Sequence, residues 1–232
     1  MALVLHGYWR SLATYRVRAA LNLKGIAFEE RIVDLGKGEH LQPAYLALNP
    51  QGALPLLDHD GVRLTQSLAI MEYMEEVWPK VPLLPADPAG RARVRSLAQV
   101  TIADVHPLIT PRVRELLEHG FNIDEPGRLR WIQHWFDQGS QTLEARLAEP
   151  STGAFAHGDE PTITDVALAS HVAGAQLFKC DLSVAPRLMG VVGRCMQLDA
   201  FKCAHPLAQP GAPAVTYGHS RFFSIGNHRA AH

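Results

Sequence analysis

The spacing of apolar and polar residues changes along the chain. In its first part, segments with the pattern of strands alternate with segments that have the pattern of helices. Short apolar runs predict four strands, at residues 2–6, 28–33, 54–57 and 62–64. Apolar residues three and four positions apart predict helices, at residues 13–23, 43–48 and 67–78. Gly25 favours a left-handed cap after the first helix, and Gly61 favours a turn between the last two strands. The order β-α-β-α-β-β-α implies a mixed sheet with helices on its faces.

The second part of the chain has the periodicity of helices throughout. A proline-rich segment, residues 81–88, precedes it, and prolines resist both helix and strand. Amphipathic or wholly apolar segments predict helices at residues 91–118, 128–147, 166–178 and 186–198. We therefore predict an α/β domain over residues 1–80, a linker over 81–88 and an all-helical domain over 89–213. Residues 214–232 lack a clean period and are predicted to be a tail.

Composition and charge narrow the class of protein. The chain has 232 residues, of which 47% are apolar and 19% charged, as is typical of a globular protein. Its 22 basic and 23 acidic residues give no field that favours nucleic acid as a partner. The three cysteines lack disulfide or zinc-site spacing, so we expect free thiols and no metal. No signal peptide or membrane span is visible, and we predict a cytoplasmic protein without a membrane partner.

The turn from the first strand into the first helix is the most informative stretch of the chain. Ser11 and Thr14 provide hydroxyls there, beside the cation of Arg10. The first turn of a helix presents unpaired backbone N–H groups and the positive end of the helix dipole, which stabilise an anion such as a thiolate. The residues alone leave two interpretations open: a thiolate site, or a hydroxyl that only caps the helix.

Two further positions in the α/β part are equally ambiguous. Pro55 is unusual at the start of a hairpin strand. A cis Leu54–Pro55 bond would expose the Leu54 backbone to an extended peptide, and the alternative is an edge-strand proline with no ligand. Gln66 and Ser67 stand at the start of a predicted helix. Their side chains and the helix N–H groups would hold a small carboxylate, or would merely cap the helix.

Polar residues of the helical part favour structural roles. Thr162 and Asp165 have the spacing of a capping box before a buried helix, and we expect them to matter for folding. His106 and Arg112 fall on the helix predicted over residues 91–118, and Arg114 follows. A histidine in such a place is more often a satisfied structural residue than a ligand, and the two arginines are most simply solvated. The residues alone assign none of the three to a site.

Several short motifs together resemble one known family. They are Arg10-Ser11, Tyr15-Arg16-Val17-Arg18, Ala47-Leu48-Asn49-Pro50-Gln51, Gln66-Ser67-Leu68-Ala69-Ile70, Leu83-Leu84-Pro85-Ala86-Asp87, Phe178-Lys179, Asp181-Leu182 and Leu198-Asp199-Ala200-Phe201. In this order they resemble the zeta class of glutathione transferases, over residues 3–213. The resemblance implies a thioredoxin-like N-terminal domain that binds glutathione, an all-helical C-terminal domain that completes the substrate pocket, and a homodimer.

The resemblance also assigns roles to the ambiguous residues of the glutathione site. Ser11 is expected to donate a hydrogen bond to the glutathione sulfur, and to hold it as a thiolate. The Leu54 backbone is expected to pair with the cysteinyl part. Gln66 and Ser67 are expected to hold the γ-glutamyl carboxylate. His106 matches a polar position that reaches glutathione from the second domain.

The activity that the resemblance implies is a glutathione-dependent cis–trans isomerisation of a small anionic maleyl substrate. The substrate that the resemblance favours is maleylacetoacetate, which arises in the breakdown of aromatic amino acids. Thiolate addition to the double bond, rotation and elimination would give the fumaryl product and return glutathione as a cofactor. Arg10 and Arg112 are expected to bind the substrate and to stabilise the enolate-like charge, so Arg10 joins Ser11 in catalysis.

Two residues depart from the family pattern and keep other functions open. Leu12 stands where a second hydroxyl donor is usual, and Leu177 stands where an arginine is usual. The resemblance therefore assigns the glutathione site but leaves the substrate open. The alternatives are maleylpyruvate isomerisation, a general glutathione transferase or dehalogenase, and a non-catalytic binding module with the same fold.

Overall fold

The computed structural model describes residues 2–213, and the predicted tail over residues 214–232 lies outside them. The described strands are β1 (Leu3–Gly7), β2 (Glu29–Ile32), β3 (Leu56–His59) and β4 (Val62–Thr65). They form one sheet in the order β2-β1-β3-β4. β1 runs parallel to β2 and antiparallel to β3, and β3 pairs antiparallel with β4. The predicted mixed sheet is therefore confirmed.

Three α-helices accompany the sheet: α1 (Leu12–Leu23), α2 (Pro43–Leu46) and α3 (Ser67–Val77). The end of α1 follows from its sequence, because Gly25 has a φ of +67°. The Gly25 N–H donates to the Asn22 C=O and the Ile26 N–H to the Leu21 C=O, both at 3.0 Å. This is the Schellman arrangement that glycine favours.

The rest of the described chain is helical, as predicted. Its α-helices are α4 (Pro88–Gln99), α5 (Pro111–Glu115), α6 (Glu125–Arg146), α7 (Ile163–Leu177), α8 (Pro186–Cys195) and α9 (Asp199–Ala204). α9 was not predicted as a separate helix, and α8 ends three residues earlier than predicted, at Cys195. A thioredoxin-like α/β part followed by an all-helical part is the predicted fold class, and it is confirmed.

The single helix predicted over residues 91–118 is wrong. α4 continues as a π-helical turn over Val100–Val105, and a 3₁₀ turn over His106–Ile109 separates it from α5. Pro107 and Pro111 cause the break, because proline has no backbone N–H and its ring clashes with the preceding turn. His106 and Arg112 therefore lie on two different short segments.

Helix α1 lies at the centre of the molecule. It packs against α3 in the α/β part and against α7 and α9 in the helical part. Its residues from Leu12 to Leu21 are all buried. Leu12 points at α7, where a Cβ added to Gly174 would stand 2.5 Å from the Leu12 Cδ1 atom. The leucine that replaces the family's second hydroxyl is thus part of the packing between the two parts of the molecule.

The capping box that was predicted at the start of α7 supports a structural role for Asp165. Its fully buried carboxylate accepts hydrogen bonds from the backbone N–H and the hydroxyl of Thr162, both at 2.8 Å. It also accepts from the Ala156 N–H at 2.8 Å. Burial raises the pKa of this carboxyl, and these hydrogen bonds oppose that rise.

Candidate active site

Ser11 is the N-cap residue of α1. Its Oγ accepts a hydrogen bond from the Thr14 N–H at 3.1 Å, and the hydroxyl proton remains to be donated elsewhere. Capping and donation to a thiolate are therefore compatible roles for this side chain. Thr14 itself is completely buried, which excludes its hydroxyl from a site open to ligands.

The Leu54 backbone is available to an extended ligand. The Leu54–Pro55 peptide bond is cis. Within residues 2–213, no hydrogen bond uses the N–H or the C=O group of Leu54. The pairing of β3 with β4 begins only at Leu56, opposite Thr65. The unpaired groups fit the cysteinyl part of a glutathione molecule, which would add like a short strand.

Helix α3 begins without a side-chain cap. Gln66 is its N-cap residue, but the Gln66 amide donates to the Gln51 Oε1 atom at 3.0 Å instead of capping the helix. Gln66 also has a φ of +68°, in a region where a side chain costs about 1–3 kcal/mol. Such strain is typical of ligand sites, and the open N–H groups of α3 favour an anion. The structure therefore favours the carboxylate-binding interpretation over simple capping.

A fully buried arginine, Arg16, joins four segments of the chain behind this helix start. Its Nε donates to the Ser67 Oγ at 2.9 Å and its Nη1 to the Ser170 Oγ at 3.2 Å. Its Nη2 lies 3.4 Å from the His106 Nδ1 atom. We gave Arg16 no role from the sequence. The available signal was a pair of cations, Arg16 and Arg18, among the apolar residues of a helix that is buried in the centre of the molecule.

His106 reaches this cluster from the helical part of the chain, and its contact with glutathione stays a prediction. Burial and the nearby charges of Arg16 and Arg112 lower the His106 pKa to about 3, so the ring is neutral at physiological pH. Because the Arg16 guanidinium can only donate, Nδ1 must accept and the proton lies on Nε2. Arg112 is exposed and forms no ion pair within the described chain. Its positive charge nevertheless contributes to the lowered pKa of His106.

Two cations contact the ring of Phe178, at the end of α7. The Cζ atoms of Arg10 and Arg114 lie 5.8 Å and 5.6 Å from the ring centre, within the range of a cation–π interaction. Burial and the charge of Arg10 lower the pKa of Arg114. Its buried Nε has no hydrogen-bond partner among the described residues. Arg114 was expected to be solvated, but its guanidinium lies next to Phe178, where Leu177 provides no cation.

The described residues contain no group of three or more potential metal ligands and no helix long and apolar enough to cross a membrane. Cys180, Cys195 and Cys203 are free. The polar groups of the site therefore come from hydroxyls, an imidazole, backbone groups and arginines. This donor set fits an anionic thiol peptide, because donors and cations surround the places where its sulfur and carboxylates would lie.

Comparison with known proteins identifies the class to which this fold and site belong. Residues 1–76 match the family model of the glutathione S-transferase N-terminal domain. The maleylacetoacetate isomerase of Rhizobium meliloti (strain 1021) is 45% identical over 203 residues, which cover 88% of this chain and 95% of that protein.

Two solved structures have the same fold. A maleyl pyruvate isomerase described as a zeta-class bacterial glutathione S-transferase is 43% identical, with a TM-score of 0.89 over 90% of this chain and 100% of that one. A maleylacetoacetate isomerase from Methylobacterium extorquens AM1, crystallised with malonate and glutathione, is 48% identical. Its TM-score is also 0.89, over 91% of this chain and 100% of that one.

The fold is that of the glutathione S-transferases. The chain belongs to this family, in its zeta class.

Proposed function

We propose that this protein is a glutathione-dependent cis–trans isomerase of small maleyl compounds. We expect maleylacetoacetate to be the substrate, and maleylpyruvate is the alternative. The observation that carries the proposal is the pair of cations on Phe178, because Arg10 directly precedes the N-cap residue Ser11 and Arg114 lies over the same ring. Neither arginine has a carboxylate partner among residues 2–213. The relative that was crystallised with glutathione also holds malonate, a dicarboxylate.

The residues of the α/β part would hold glutathione. Its γ-glutamyl carboxylate lies at the start of α3, on Ser67 and Gln66, and its cysteinyl part pairs with the Leu54 backbone. His106 donates from the helical part through Nε2. Ser11 donates its hydroxyl proton toward the sulfur, at the positive end of the α1 dipole.

Bound glutathione supplies a thiolate that adds reversibly to the cis double bond, which allows rotation and release of the trans product. Arg10 and Arg114 would hold a substrate carboxylate, and with Arg112 they would stabilise negative charge that develops on the substrate. Leu12 is buried against α7 and takes no part. Ser11 is therefore the hydroxyl that we assign to the sulfur.

The decisive experiment follows glutathione and substrate together. The purified full-length chain is mixed with glutathione and either maleylacetoacetate or maleylpyruvate, and free thiol is titrated while absorbance reports the substrate. We expect loss of the maleyl compound with no glutathione consumed. Net consumption of glutathione would support a transferase or dehalogenase instead. Retention on immobilised glutathione without any turnover would support a binding module.

We also propose that the protein is a cytoplasmic homodimer. A thiol cofactor works in a reducing compartment, and all three cysteines are free thiols. The α/β part exposes apolar side chains, including Leu41 at 58% and Val62 at 52% exposure, which a second copy would cover. Light scattering during gel filtration should give twice the mass of one chain. A particle of one chain's mass would contradict the dimer.

A further inference from the structure

Helix α1 contains two buried arginines, and only one of them has a counter-ion. Arg18 is 1% exposed and donates to both carboxylate oxygens of Glu30, at distances from 2.6 to 3.1 Å. Arg16 is 2% exposed, and its partners Ser67, Ser170 and His106 are all neutral. No carboxylate of the described chain pairs with it. An uncompensated buried charge is costly, and such violations concentrate at functional sites.

The hydrogen bonds of Arg16 fix the direction of its neighbours' donors. A guanidinium has donors only, so each partner must accept from it. The Ser67 Oγ accepts from Nε at 2.9 Å, and its own proton is left to donate. The His106 Nδ1 accepts from Nη2 at 3.4 Å, which leaves the proton on Nε2. Ser170 differs, because its hydroxyl already donates to the Ala167 C=O at 2.7 Å.

We infer that Arg16 is a positioning residue for the γ-glutamyl carboxylate of glutathione. It directs the Ser67 hydroxyl proton and the His106 Nε2 proton away from itself and toward an anion at the start of α3. The carboxylate is then the counter-ion that the protein does not supply. Burial lowers the pKa of Arg16 to about 9, so the side chain is still charged at neutral pH. The inference rests on the proposed glutathione site.

The test compares two ligands on the full-length protein by titration calorimetry, without any turnover. One ligand is glutathione, and the other is an analogue in which a 4-aminobutanoyl group replaces the γ-glutamyl unit and removes its α-carboxylate. We expect the wild type to prefer glutathione by at least about tenfold, the range of a hydrogen bond to a charged group. In Arg16→Met this preference should fall to within about twofold.

Arg18→Met is the matched control, because it removes an equally buried arginine from the same helix. It should lower the melting temperature but keep the preference for glutathione over the analogue. Arg16→Gln is a second neutral variant that keeps more polar volume, and it decides the question if Arg16→Met does not fold. Arg16→Lys keeps the charge and should restore part of the preference.

A double mutant tests whether Arg16 acts through Ser67. If it does, Arg16→Met combined with Ser67→Ala weakens glutathione binding less than the product of the two single effects. The inference is overturned if the neutral Arg16 variants weaken the binding of glutathione and of the analogue equally, or weaken neither. It is also overturned if the effects of the two single mutations on glutathione binding simply multiply in the double mutant. Because only binding is measured, these outcomes do not depend on the isomerase assay. An inactive protein that still shows the Arg16-dependent preference would refute the proposed function alone.

Discussion

The glutathione side and the substrate side of the proposed site use their cations in opposite ways. On the glutathione side, Arg16 is buried and is held by three hydrogen bonds to neutral groups. On the substrate side, Arg10 is exposed, Arg114 is half-buried, and both lie over the ring of Phe178. A buried cation acts at short range through fixed donors. An exposed cation acts through a field that water and salt weaken.

This difference matches the demands of the two ligands. Glutathione is a constant cofactor, so a rigid set of donors on α1 and α3 suits it. The substrate side depends on side chains that reach over one aromatic ring, and a cation there can come from more than one segment. Arg114 lies on α5, whereas the arginine usual in the family would stand at position 177, which is Leu177 here.

The largest effect is expected at Ser11. Ser11→Ala should lower kcat/KM at least about tenfold, or about 1.4 kcal/mol of transition-state stabilisation, because the hydroxyl donor to the sulfur is lost. The loss should be equal for a maleyl substrate and for a neutral electrophile, since both need the thiolate. Steady-state kinetics with both substrates measure it.

Ser11→Thr is the control for this change, because it keeps the hydroxyl and the N-cap. It should retain most of the activity. The Ala variant also loses a helix cap worth about 0.5–2 kcal/mol, so its melting temperature must be checked. An unchanged rate in a folded Ser11→Ala variant would mean that another group ionises the thiol.

A smaller and more selective effect is expected at Arg114. Arg114→Met should lower kcat/KM for a maleyl substrate by about three- to tenfold, because a charge that faces the substrate is removed. Turnover of a neutral electrophile, such as 1-chloro-2,4-dinitrobenzene, should change by less than about twofold. Arg63→Met is the charge-matched control, since Arg63 lies on β4 in an ion pair with Asp58. Equal losses for both substrates would place Arg114 on the glutathione side.

The pH dependence tests the neutral state of His106. With its pKa lowered to about 3, His106 should add no protonation step to the pH–rate profile between pH 5 and 8. Its ordinary pKa of 6.5 applies in the unfolded chain, so unfolding takes up a proton between the two values. Its contribution to stability is thus complete above pH 6.5 and is lost as the pH falls toward 3.

His106→Gln should therefore show a smaller drop in melting temperature than the wild type when the pH is lowered from 7 to 5. Differential scanning fluorimetry at the two pH values measures this. An equal drop in both proteins, together with an inflection near pH 6.5 in the wild-type rate profile, would contradict a neutral buried His106.

The smallest effect is expected from salt. Raising the ionic strength from about 0.05 to 0.5 M shortens the Debye length to a few ångströms. The KM of the maleyl substrate should then rise by about two- to threefold, and the Kd of glutathione by less, because Arg16 is shielded from the solvent. Arg114→Met should reduce the salt effect on KM. If salt raises the Kd of glutathione more than the KM of the maleyl substrate, the proposed difference between the two sides is wrong.

Local features of the fold were predictable because their causes are local. The Gly25 cap, the hairpin turn at Gly61 and the element order of the α/β part all follow from turn chemistry and period. The helix over residues 91–118 was predicted wrongly, because its period continued through Pro107 and Pro111. There the missing N–H groups outweighed the apolar spacing.

The candidate site was only partly recognisable from the sequence. Short motifs suggested the helix start at Ser11 and the positions of Leu54, Gln66 and Ser67, and these roles stay predictions. Arg16 was not recognisable, because its partners lie 51, 90 and 154 residues away in the chain. Arg114 was missed for the same reason, since Phe178 follows the end of α7, 64 residues away in the chain.

The sequence by itself determined the order of strands and helices in the α/β part, and it put Ser11 and Ser67 at two helix starts where either a cap or an anion was possible. The tertiary structure decided which cations meet that anion. An arginine side chain is long and flexible, and its pKa and direction depend on burial by elements from remote parts of the chain. Helix α1 shows this most clearly: packing gave Arg18 a carboxylate and left Arg16 without one.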